Sequence, residues 1–183
     1  MPGPRRDHID FRHSTVHGPV QGQGIQYNND NRTFVAPAEP DHARLGGDAL
    51  LIRDYRSAVH HFSHAIRGDP QRASHHYYLS LANLGGHHPC ALSEARVRLS
   101  LDALGHALTA LPSCAYARVA DLLIRDALAS RYGEGRTALT PQERRLVHRA
   151  GKRHARELTT HVPAPENAWW RALHARVPGP YEG

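Results

Sequence analysis

Gly46-Gly47-Asp48-Ala49-Leu50-Leu51-Ile52-Arg53-Asp54-Tyr55-Arg56-Ser57-Ala58-Val59-His60-His61-Phe62-Ser63-His64-Ala65-Ile66-Arg67-Gly68-Asp69-Pro70 carries the clearest helical pattern in the chain. It divides into two short helices with a tight turn at Arg53-Asp54. In the second, Ala58, Val59, Phe62, Ala65 and Ile66 recur at helical spacing and form one apolar stripe. Asp54 suits the N-cap, where a carboxylate accepts the unpaired amide hydrogens of the first turn. Gly68 is expected at a left-handed C-cap, and Pro70 forbids continuation.

The pattern continues outward from this hairpin. Asp41 can cap the first helix, and residues 36–43, with Pro37 and Pro40, read as a stiff linker. Ala73 to Leu84 gives a third helix, closed by Gly85-Gly86-His87-His88-Pro89. The fourth runs from a cap at Ser93 to Leu111, with Leu101, Leu104, Ala107, Leu108 and Leu111 as its expected buried stripe. A strongly apolar helix follows from about Ser113, carrying Val119, Leu123 and Ile124, and stops at Tyr132-Gly133-Glu134-Gly135. Thr140-Pro141-Gln142-Glu143 signals another helix start, with proline at the first helical position and glutamate three after the cap. That helix reaches about Thr159, and a short last one, Glu166 to Val177, presents Trp169, Trp170 and Leu173 to cap the end of the stack.

The central stretch resembles a tetratricopeptide repeat, a unit of about 34 residues in two antiparallel helices. Leu45 and Gly46 match the large and small positions of its first helix, Tyr55 its turn, and Ala58, Phe62, Ala65 and Pro70 the small, aromatic, small and proline positions of its second. Leu79-Ser80 match the large and small positions of a second repeat. Two departures stand out: Ala49 lies where the family carries a bulkier residue, and the segment from Ser80 to Pro112 is about eight residues longer than the consensus. The resemblance implies an all-α solenoid of three stacked hairpins over residues 41–177. It also implies a protein-interaction scaffold that binds protein partners on the face lined by the first helix of each hairpin.

Residues 1–40 differ in kind, with frequent Gly, Pro, Asn, Gln and Thr and no helical stripe. Ile9 and Phe11 alternate, as do Gly18, Val20, Gly22 and Gly24, and then Ile25 pairs with Tyr27. Short β segments broken by glycine turns give that pattern, in an otherwise flexible arm. Gly18-Pro19-Val20-Gln21-Gly22 followed by Ile25-Gln26-Tyr27-Asn28 resembles the short bacterial amyloid signalling motifs related to the receptor-interacting-protein homotypic motif. The resemblance implies self-assembly through Val20, Gln21, Gly22, Ile25 and Gln26, with dry apolar seams and Gln ladders between stacked copies. The arm would then make the chain an adaptor in a bacterial signalling or defence pathway. Residues 178–183 read as a disordered tail.

Charge and composition narrow the classes. The 183 residues carry a net charge of +6, with Lys152 the single lysine among 23 basic residues. Such arginine preference, with abundant Ala, Leu and Gly, is a GC-rich bacterial coding style. The charged N-terminus lacks an apolar signal segment, no run approaches a membrane span, and Cys90 and Cys114 fall in different helical units. A cytoplasmic protein with reduced cysteines is expected.

Sixteen histidines raise the question of metal. His60 and His64 share helical spacing, but no His-Glu-x-x-His or paired-cysteine motif accompanies them, and His61 and His64 are expected to face solvent. No metal or other cofactor is expected. The helix of residues 140–159 holds Arg145, Arg149, Lys152, Arg153 and Arg156 along one arc at 100° per residue. That arc is an alternative site for nucleic acid or an acidic surface, although a solvated outer face, which any amphipathic surface helix needs, explains it better and no interleaved aromatics favour nucleic acid. No nucleophile elbow, phosphate-cradling loop or dinucleotide fingerprint occurs, so an enzyme is not expected.

Overall fold

Asp41 caps the first described helix: its carboxylate accepts a 3.0 Å hydrogen bond from the Arg44 amide. The computed structural model describes residues 40–177. Among them the architecture is all-α, with helices α1 (His42–Leu51), α2 (Tyr55–Gly68), α3 (Ala73–Leu84), α4 (Glu94–Ala110), α5 (Ala115–Ser130), α6 (Pro141–His161) and α7 (Ala168–His174). A single 3-10 turn, Pro89–Ala91, leads into α4, and no strand occurs among the described residues. The β-like pattern of the N-terminal arm and the tail from residue 178 lie outside them.

Consecutive helices lie against one another from α1 to α7, and α6 returns to touch α3. The turn between α1 and α2 is tight because Arg53 takes a left-handed φ of 59°, which lets the Asp54 amide reach the Ala49 carbonyl at 2.9 Å. Asp54 then caps α2 by accepting from the Ser57 amide at 3.1 Å and the Ser57 hydroxyl at 2.6 Å. The Ser57 hydroxyl bond, followed by the amide bond, holds the Asp54 carboxyl below its ordinary range.

Ala58, Phe62 and Ala65 are the buried face of α2, and Val59 and Ile66 are half-buried beside them. With Ala49, Leu50 and Ala82 they form a small core. Phe62 stacks on Tyr78, ring centroids 5.4 Å apart, and Tyr78 joins this core to the main one. Large buried side chains of the main core include Tyr77, Leu81, Leu104, Leu123, Ile124, Leu158 and Trp169. Each such aliphatic or aromatic group contributes about 1.5–3 kcal/mol by leaving water. Between α3 and α4 the helices approach so closely that Ser80 and Ser100 meet, hydroxyl to hydroxyl at 2.6 Å, fully buried.

Several local expectations need correction. Gly68 is the last residue of α2, not a left-handed cap: the chain leaves through Asp69 at φ −142°, an extended geometry that needs no glycine. Left-handed glycines stand instead at Gly85 and Gly86, which end α3. On α4 the buried face is Val97, Ser100, Ala103, Leu104 and Ala107, while Leu101 and Leu108 are half-buried and Leu111 is 45% exposed. Ser100 faces α3 because the helices touch there, and this turns Leu101, Leu108 and Leu111 outward while Leu104 stays buried. α7 is shorter than expected: Asn167 caps it by accepting from the Trp169 and Trp170 amides, and it ends at His174. Finally, α6 is not one straight helix. Gly151, at φ 82° and ψ 160°, interrupts it, so a 100° wheel does not run through its basic residues.

Candidate functional site

The break at Gly151 aims the second half of α6 across α3 and toward α1. There it closes a groove of about 320 Å³. Leu50, Phe62 and Leu81 give the groove its apolar floor, α1 supplies Arg44 and Asp48 along one side, and Arg153, Glu157 and His161 come from α6. At the end of α1, Leu51 is 82% exposed and Ile52 77% exposed, two large apolar side chains facing water side by side.

A polar cluster spans the groove between α3 and α6. The Tyr78 hydroxyl donates to Glu157 Oε1 at 3.2 Å, and the Arg153 guanidinium reaches the same carboxylate oxygen through Nε at 3.0 Å and the Tyr78 oxygen through Nη2 at 3.2 Å. Burial, then the Glu157 charge, pushes the Tyr78 hydroxyl up to about 12, so it stays a donor at any physiological pH. The other carboxylate oxygen, Glu157 Oε2, is buried without a hydrogen-bond partner among the described residues. A buried carboxylate oxygen left without a donor is unfavourable, and a donor brought to it would satisfy it.

His161 lies at the far end of α6, where its Nδ1 shares a 3.1 Å hydrogen bond with the Tyr55 hydroxyl in an edge-on ring contact. Burial lowers the His161 pKa and keeps the ring neutral. Tyr55 is further held by the tight approach of Gly86, where an added Cβ would fall 2.5 Å from the tyrosine oxygen.

The repeat-matching residues are partly drawn together. Gly46 packs under the Phe62 ring, Ala58 and Ala65 are buried, Leu45 and Tyr55 are half-buried, and Pro70 is exposed, with its carbonyl accepting from His76 Nε2 at 2.8 Å. The basic arc is dispersed: Arg145, Arg149, Lys152 and Arg156 are exposed on either side of the Gly151 break, whereas Arg153 is committed to Glu157 and Tyr78. Val20, Gln21, Gly22, Ile25 and Gln26 lie outside the described residues.

Several histidines depart from the solvated expectation, although His60, His87, His106, His148 and His174 are exposed. His61 and His64 are half-buried beside His42, with 3.1 Å between the Nδ1 atoms of His42 and His61 and the rings of His42 and His64 stacked at 4.7 Å. His75, His76 and His161 are buried. Among the described residues, no group of three or more His, Cys, Asp or Glu side chains is placed to hold a metal ion. No helix among them is long and apolar enough to cross a membrane.

Sequence reasoning missed Tyr78 and Glu157 as a pair. The i, i+4 spacing of Arg153 and Glu157 was visible in the sequence, but their meeting with Tyr78 across 79 positions is set by the Gly151 break. Set against known proteins, the chain matches no protein-family model, no curated protein and no solved structure.

Proposed function

We propose that the chain is a non-enzymatic interaction scaffold that takes a short segment of a partner protein in the groove between α1, α3 and α6. The observation that carries this reading is the pairing of an apolar floor and the exposed Leu51 and Ile52 with a buried, unpartnered carboxylate oxygen on Glu157. A matching segment offers one or two apolar anchors and a hydrogen-bond donor, a lysine or arginine side chain above all. The resemblance of the first hairpin to a tetratricopeptide repeat supports the same reading, since α1 and α3 are the first helices of their hairpins.

Selection of peptides from a random library on the full chain tests it. Enriched peptides should share an apolar anchor and a basic residue, and should lose binding to Leu51→Ser/Ile52→Ser and to Glu157→Gln. A library that yields no enrichment, or peptides indifferent to both variants, sinks the proposal.

The N-terminal arm extends the reading to an adaptor, on the strength of its sequence alone. Homotypic assembly through Val20, Gln21, Gly22, Ile25 and Gln26 would bring copies of the groove together in a bacterial signalling or defence pathway. Thioflavin-positive fibres that vanish when Val20, Gln21, Ile25 and Gln26 are replaced are the expected result. A full chain that stays unassembled at high concentration removes the arm from the mechanism and leaves the groove standing.

A further inference from the structure

The first half of α6, α7 and the connection before α6 enclose an open cleft of about 640 Å³, separate from the peptide groove. Its ionisable side chains are Arg144 and His148 from α6, Arg171 from α7, and Arg176 just beyond α7, with Thr137 beside them. Leu139 and Val147 provide an apolar wall, and among the described residues no aspartate or glutamate lines the cleft.

Nearby carboxylates are committed elsewhere. Glu143 pairs with Arg136 and accepts from the Thr140 amide at 2.8 Å. Asp126 accepts from the Arg136 amide at 3.0 Å and the Asn167 side chain at 2.7 Å, and Glu166 meets His88 at 2.6 Å. Among the described residues Arg144 and Arg176 form no ion pair, and Arg171 donates to the Thr137 carbonyl at 3.0 Å. Arg176 Nε is buried with no acceptor among the described residues. A buried guanidinium donor without an acceptor is unfavourable, and an anion in the cleft would satisfy it.

We propose that this cleft binds a small phosphate monoester. Planar guanidinium forks match phosphate oxygens in pairs, and a monoester brings nearly two negative charges to a site with three such forks and, among the described residues, no opposing carboxylate. The volume exceeds what inorganic phosphate needs and falls in the range of small-molecule sites, so the apolar wall is free to take the organic body of the ligand.

Isothermal titration of the full chain with inorganic phosphate, adenosine monophosphate and adenosine is the test. Saturable binding of the monophosphate, weaker binding of inorganic phosphate and none of adenosine are expected. Arg144→Gln and Arg176→Gln should each weaken the monophosphate by about tenfold or more. Arg125→Gln, on α5 and outside the cleft lining, should leave it unchanged. Arg144 is exposed and forms no ion pair among the described residues, so its variant keeps the test valid even where Arg176→Gln disturbs folding. Absence of saturable binding, or binding that Arg144→Gln leaves intact, overturns the proposal.

Discussion

Gly46 and Phe62 are in contact so close that a Cβ on the glycine would lie 2.9 Å from the phenylalanine ring. The ring is buried and stacked on Tyr78, so it has little room to yield. Gly46→Ala should therefore destabilise the protein by about 1–2 kcal/mol, the overpacking strain exceeding the helix-propensity gain. Its neighbour Gly47, also in α1, has open space where a Cβ would go. Gly47→Ala should raise stability by about 0.5–1 kcal/mol. Urea denaturation of the two variants reads the opposite signs directly, and equal signs would refute close packing at Gly46.

Asn167 joins two tasks. It caps α7, and its side-chain nitrogen donates to Asp126 across 2.7 Å in a buried setting. Asn167→Ala loses the cap and leaves a buried carboxylate short of a donor, which together should remove about 2–4 kcal/mol. Asn167→Asp keeps a capping oxygen but sets two carboxylates together. Its thermal midpoint should fall further below wild type at pH 8 than at pH 5, where one carboxyl can take up a proton. A deficit equal at both pH values would exclude the Asp126 contact as the cause.

Protonation gives a third expectation. Burial lowers the pKa of both His161 and His75, so the folded state binds fewer protons there than the unfolded state. The linkage sign is then positive: stability is full above the ordinary imidazole value of about 6.5 and declines as pH falls below it. The urea midpoint should drop between pH 7.5 and pH 5.5, and His161→Gln should lower it at pH 7.5 while flattening that drop. Asp54 and Glu143 act in a separate, more acidic window. The Ser57 hydroxyl and the Thr140 amide, respectively, hold their carboxyls low, so their contribution disappears only below the ordinary carboxylate range. A midpoint that stays flat from pH 7.5 to 5.5 would rule out buried neutral imidazoles.

The parts of this fold that were legible in the sequence are those whose causes are local. The capping box of Thr140 and Glu143, the caps at Asp41, Asp54 and Ser93, and the Phe62 face of α2 each depend on residues within one or two turns. What could not be read depends on where distant helices land. Leucine spacing on α4 pointed to one face, where Leu104 and Ala107 are indeed buried, yet Val97, Ser100 and Ala103 are buried too and Leu101 and Leu108 only half so, because α3 approaches at Ser100. Tyr55 looked like a turn residue, and its bond to His161 spans 106 positions. Glu157 carried no signal of its own until the two halves of α6 were separated at Gly151. The imidazole contacts of His42 with His61 and His64 likewise required α1 to lie against α2.

Gly151 therefore carries the last prediction. Its φ of 82° and ψ of 160° belong to a region that L-residues with a side chain avoid, and nothing lies within 4 Å of where a Cβ would stand. Any penalty of Gly151→Ala is thus a backbone penalty, about 1–3 kcal/mol. A variant that relieved this strain by straightening α6 would swing Arg153, Glu157 and His161 away from α3 and α1, so peptide binding in the groove should weaken with stability. D-alanine, introduced by semisynthesis, accommodates positive φ and meets the same open space. It should keep the fold, the Tyr78–Glu157 hydrogen bond and the groove intact. If the L- and D-alanine proteins unfold at the same urea concentration, the break is not what positions the second half of α6.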